Sequence, residues 1–167
     1  MTEDARHFAF ATLAATPGAL QALVAGLPQA MLDEPADGGW SPKDVVAHLV
    51  VSGRLGAIAR IRSIVESDHP LLQNYDDEEE LRRSGLASAP PASALAEFAA
   101  TRATDLEWLH ALPVAAFERR GRHSVAGEVS AGELLYHAAY HDSAHLAQLA
   151  QMLASRFDPL RGPLRVF

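Results

Sequence analysis

Between residues 136 and 148 the sequence reads YHAAYHDSAHLAQ, which places His137, His141 and His145 four residues apart. On an α-helix, residues four apart are turned by about 40° and rise by about 6 Å, so the three imidazoles form one slowly turning stripe. An H-x-x-x-H pair on a helix can hold one divalent ion through two ring nitrogens at about 2.0–2.1 Å. The outer two rings stand about 12 Å apart along the axis, too far to share an ion, and spacing alone does not choose between the two adjacent pairs.

A catalytic ion needs a third protein ligand and an open position, and in a helical bundle that ligand comes from a facing helix. His48, in WSPKDVVAHLVVSG, is the candidate. It falls two turns into a predicted helix among Val45, Val46, Leu49 and Val50, where an unpaired polar ring would be costly. His7, His69, His110 and His123 are expected at surface positions.

The elements that must position these rings follow from periodicity. Apolar residues recur at three and four spacing in four regions, which predicts an all-α protein, a four-helix bundle in one domain over 1–167. The first helix spans about 2–26, capped by Thr2, with a break or kink expected at TPG, residues 16–18, where Thr16 would cap a second piece that begins at Pro17. The second opens at Ser41-Pro42 with Asp44 at the third position and runs to about Ser67. The third spans about Pro91 to Leu112. The fourth opens on the capping box Ser130/Glu133 and runs from Ala131 to about Arg156.

Residues 69–91 form a connection long enough to cross the bundle between the second and third helices, and its acidic run Asp76 to Glu80 reads as a helix start or solvated face. The basic cluster Arg119, Arg120, Arg122 reads as a solvated loop. The tail is expected to be irregular but docked through Phe157, Leu160, Leu164 and Phe167.

Composition limits the possible functions. The 167 residues carry a net charge of −7, which disfavours nucleic acid and anionic membrane surfaces as partners. There are no cysteines, so any thiol chemistry must use a small-molecule thiol. The N-terminus MTEDARHFAF lacks the basic start and apolar core of a signal peptide, and a cytoplasmic protein is expected.

GGWSPKDVVAHLV, the helix-3 segment FAATRATDL and GEVSAGELLYHAAYHDSAHLAQL together resemble the DinB/YfiT-like superfamily of four-helix metalloproteins. The most specific part is W-S-P-x-x-V-x-x-H-L combined with H-D-x-x-H-L-x-Q. The resemblance implies a bundle of unusual connection order, frequent homodimers, and a divalent metal, zinc or nickel, held by His48, His141 and His145. His137 then falls one turn outside the triad, beside the ligands or in the pocket wall. Asp142, about 100° around the helix from His141, becomes a contact within the bundle or next to the ligands.

Three neutral imidazoles leave the ion's full charge to act on the remaining positions, favouring deprotonated water or thiol there. The expected function is therefore a metal-dependent enzyme acting on a small-molecule substrate. It would be a hydrolase using water or an S-transferase using a low-molecular-weight thiol, and the resemblance to users of bacillithiol and mycothiol points to the thiol. The rival is a non-catalytic, stress-associated dimeric protein in which the metal staples two helices.

Overall fold

A computed structural model describes residues 2–35 and 39–166. Its elements in chain order are α1 (Glu3–Val24), α2 (Gln29–Asp33), α3 (Pro42–Leu55), α4 (Ala57–Glu66), β1 (Leu71–Leu72), α5 (Asp77–Ser84), α6 (Pro91–Ala111), β2 (Arg120–His123), β3 (Gly127–Ser130) and α7 (Ala131–Ser155). Helices dominate, and α1, the α3–α4 pair, α6 and α7 make the bundle. α1 packs on α6 and α7, α3 on α6 and α7, and α4 on α7.

The expected caps form. Ser41 Oγ accepts from Asp44 N (3.2 Å) while Asp44 Oδ2 accepts from Ser41 N (2.9 Å), fixing the start of α3. Ser130 and Glu133 make the same reciprocal pair at the start of α7. These satisfy N–H groups that the first helical turn leaves free, and so fix where the two histidine-bearing helices begin.

Two expectations about helix continuity are corrected. α1 runs unbroken through Pro17, and Thr16, expected as a new cap, is buried and donates its hydroxyl to Thr12 O at 3.0 Å. A proline inside a helix leaves the carbonyl four residues back without its N–H partner, here Leu13 O. The buried Arg102 of α6 donates to that carbonyl at 3.2 Å, so the lost bond is replaced from another helix. The break comes instead in the second helix, at Gly56. A Cβ at this position would lie 2.4 Å from Ser52 O, so the close turn separating α3 from α4 admits only glycine without displacement.

Residues 120–130 hold a hairpin where a loop was expected. β2 pairs antiparallel with β3, Arg120 opposite Ser130 and His123 opposite Gly127, and parallel with β1, Leu71 opposite Arg122. Arg119, expected in a solvated loop, donates to Ile64 O (2.9 Å) and Ser67 O (2.8 Å), capping the end of α4. The 67–90 connection carries β1 and α5, and Asp76 caps α5 by accepting from Glu79 N at 2.9 Å.

The tail is not docked. Phe157, Leu160 and Leu164 are 61%, 78% and 63% exposed, and Phe167 lies outside the described residues. The tail bonds to itself: two short 3-10 turns are held by Arg161, which donates to Asp158 Oδ1 and to Leu164 O. By length and composition α1 could span a membrane, but Ala9, Phe10, Leu13, Leu20 and Val24 are buried in the bundle, the placement of a core helix.

Candidate metal centre

His48 stands in the middle of α3, 3% exposed and surrounded by the buried Val45, Ala47, Leu49 and Val51. His141 and His145 stand one turn apart on the face of α7 that meets it, both half-buried. The three rings converge through Nε2: His48 to His141 is 3.1 Å and His141 to His145 is 3.2 Å. One ligand atom from each lies within 4.8 Å of the others. Bonds of about 2.0–2.1 Å at tetrahedral angles require nitrogens roughly 3.3–3.4 Å apart, so these separations fit one ion with little movement.

The outward nitrogens support the same tautomer. His145 Nδ1 lies 2.8 Å from Gln148 Oε1. His48 Nδ1 is buried without a hydrogen-bond partner, and the carboxylate of Asp77, in the first turn of α5, is 3.7 Å away. A carboxylate only accepts, so it favours a proton on Nδ1, which leaves the Nε2 lone pair pointing to the cluster. Trp40 closes one side, its ring centroid 4.7 Å from that of His48 and 6.2 Å from that of His145. Burial holds His48 down to about 4, with His145 nearby adding to the effect, and burial likewise holds His141 down to about 3. Both rings are therefore neutral at physiological pH, the state a metal requires.

His137 is not brought into this cluster. It is exposed, with its ring centroid 6.2 Å from that of His141, and lines a cavity of about 150 Å³ whose wall also includes His141, Asp77, Tyr75 and Arg60. Asp142 faces the bundle interior, 2% exposed, and pairs with Arg102, whose Nη2 donates to Oδ1 at 3.2 Å and whose Nη1 donates to Oδ2.

The sequence reading missed Asp77, Trp40 and Gln148. Asp77 was absorbed into an acidic run that starts a helix. Trp40 and Gln148 belong to the quoted motifs W-S-P and H-L-x-Q, which were the available signal, but no role had been attached to either. The remaining histidines are away from the cluster: His110 stacks on Phe10 at 4.2 Å, His69 bonds Glu128 at 2.8 Å, and His123 Nδ1 accepts from the amides of Val125 and Ala126.

The comparisons with known proteins agree with this architecture. No curated protein matches the chain. YfiT from Bacillus subtilis, described as a probable metal-dependent hydrolase with an unusual four-helix bundle topology, superimposes with a TM-score of 0.77 at 22% identity. The match covers 92% of this chain and 90% of that one, and at this identity it establishes a shared fold. The sequence model of the DinB superfamily matches residues 12–149, most of the chain, and on that match this protein belongs to the DinB superfamily.

Proposed function

We propose that His48, His141 and His145 hold one divalent ion, zinc or nickel, and that the protein is a metal-dependent hydrolase acting on a small molecule. The observation that carries this reading is the convergence of three Nε2 atoms from two helices beside a cavity that His141 helps to line. Among the described residues, the cluster of mutually close ligand atoms comprises these three histidines, which leaves a position for a small molecule. The name given to YfiT supports the same class.

An ion bound there supplies a Lewis acid that makes a coordinated water or thiol acidic near neutral pH. The chain's own groups do the rest. The His48 and His141 rings stay neutral because burial opposes their protonation, Asp77 and Gln148 orient the His48 and His145 rings, and Trp40 keeps water from one side. Asp142, bonded to Arg102, holds the adjacent turn of α7 against α6.

The absence of cysteine favours a second reading, transfer to a low-molecular-weight thiol, in which the sulfur nucleophile comes from outside. The two are separated with protein purified without a polyhistidine tag and loaded with zinc or nickel. Hydrolysis predicts about one ion per chain and turnover of an activated ester without thiol, both lost in His141→Ala. Turnover only with a thiol selects transfer. Metal uptake with no turnover of either kind selects the stapling role, and no uptake removes all three. A homodimer and a cytoplasmic location complete this reading.

A further inference from the structure

Arg60, on α4, faces the same cavity as His141. It is half-buried; its Nη2 donates to Gln73 O at 2.9 Å and its guanidinium lies 5.2 Å from the centre of the Tyr75 ring. Among the described residues it forms no ion pair, and a guanidinium carries five N–H donors, so most of its capacity is uncommitted. The other lining arginine, Arg102, is consumed by Asp142 and Leu13 O. The wall that carries Tyr75 is fixed in place: Ser124 N donates to Leu72 O at 2.9 Å, and Asn74 N donates to Ser124 Oγ at 2.9 Å.

Charge accounting points the same way. Arg102 and Asp142 cancel, and Asp77, which lines the same cavity, offsets Arg60, so a bound divalent ion leaves the cavity positive. Its volume of about 150 Å³ lies below the roughly 300–1,000 Å³ of sites for drug-sized ligands, so it takes a compact molecule or one end of a larger one.

From these observations, resting on the metal-dependent reading above, we propose that the substrate carries a carboxylate or phosphate group and that Arg60 is the specificity residue that binds it. Planar, forked donors on a half-buried wall suit both oxyanions. Beside it Asn74, Tyr75 and His137 line the cavity with further polar groups.

The test is calorimetric titration of metal-loaded wild type, Arg60→Met and Arg60→Lys with succinate, ethyl phosphate and neutral succinamide, with metal content measured on the same samples. The expected result is binding of at least one anion, weakened about 10- to 100-fold in Arg60→Met and less in Arg60→Lys, with metal content unchanged. Succinamide should bind more weakly than succinate and be indifferent to the substitution. Dependence on Arg60 for one anion alone names that anion as the class. Equal binding of the anions by wild type and Arg60→Met overturns the proposal, as does succinamide binding as tightly as either anion. Should Arg60→Met not fold, Arg60→Lys and the anion-to-amide contrast in wild type decide. If no metal is retained, the hydrolase reading fails, and the same titrations on metal-free protein still decide the role of Arg60.

Discussion

His141 and Asp142 are neighbours on α7 but belong to two differently built polar clusters. Asp142 points into the bundle and meets Arg102, which also serves the carbonyl that Pro17 leaves unpaired, so the buried charges and the irregularity in α1 compensate one another. His141 meets two other imidazole nitrogens at 3.1 and 3.2 Å, while His48 Nδ1 has no hydrogen-bond partner. The first cluster is complete as it stands and holds α1, α6 and α7 together. The second brings three imidazole nitrogens from two helices to one point, an arrangement whose donors suit a shared ligand.

Breaking the complete cluster should have the largest effect on folding. Arg102→Ala strands a buried carboxylate and a helix carbonyl, and should lower unfolding free energy by about 3–5 kcal/mol in urea titration. Replacing both charges by apolar residues, Arg102→Met with Asp142→Leu, should recover much of that loss. A loss equal to that of the single change would mean the pair contributes attraction beyond mutual compensation.

Disturbing the histidine cluster should act on metal rather than on folding. Asp77→Ala removes the carboxylate beside His48 and should weaken zinc binding by about 10- to 100-fold in competition with a chelator, while Asp77→Asn, which keeps an acceptor, should lose less. Equal losses in both would mean that Asp77, 3.7 Å from His48 Nδ1, acts through its charge.

The effect that sharpens the contrast is the pH dependence of the metal-free protein, which is absent at neutral pH and grows on acidification. His48 and His141 are held to about 4 and about 3, against about 6.5 in an unfolded chain. Between those values the unfolded state binds more protons, so stability should be constant above about pH 6.5 and fall as pH drops from there toward 3. Replacing His48 and His141 by glutamine should flatten this slope, measured by thermal unfolding across the same pH range.

The bundle was legible in the sequence because it depends on local regularities, whereas the choice of His141 and His145 over His137, and of His48 as their partner, came with the family motifs and not from spacing. Capping boxes at Ser41 and Ser130 mark helix starts, and two histidines one turn apart share a face wherever the helix packs. What was not legible depends on distant partners. Pro17 does not break α1 because Arg102 reaches it from another helix, and Gly56 does break the second helix because the chain turns back on Ser52. The hairpin at 120–130 lacks alternating apolar residues, and its turn is set by Gly127 at φ +78°. Asp77 and Arg60 resemble ordinary surface charges until α5 and α4 bring them to the cavity.

The central claim is that three imidazoles from two helices hold one divalent ion and leave a position for a small molecule. X-ray absorption on untagged, zinc-loaded protein addresses it directly. The account expects about one ion per chain with three imidazole nitrogens at about 2.0–2.1 Å and one further light ligand, and loss of that spectrum in His141→Ala. An ion surrounded by four protein ligands, or a spectrum unchanged by the substitution, would contradict it.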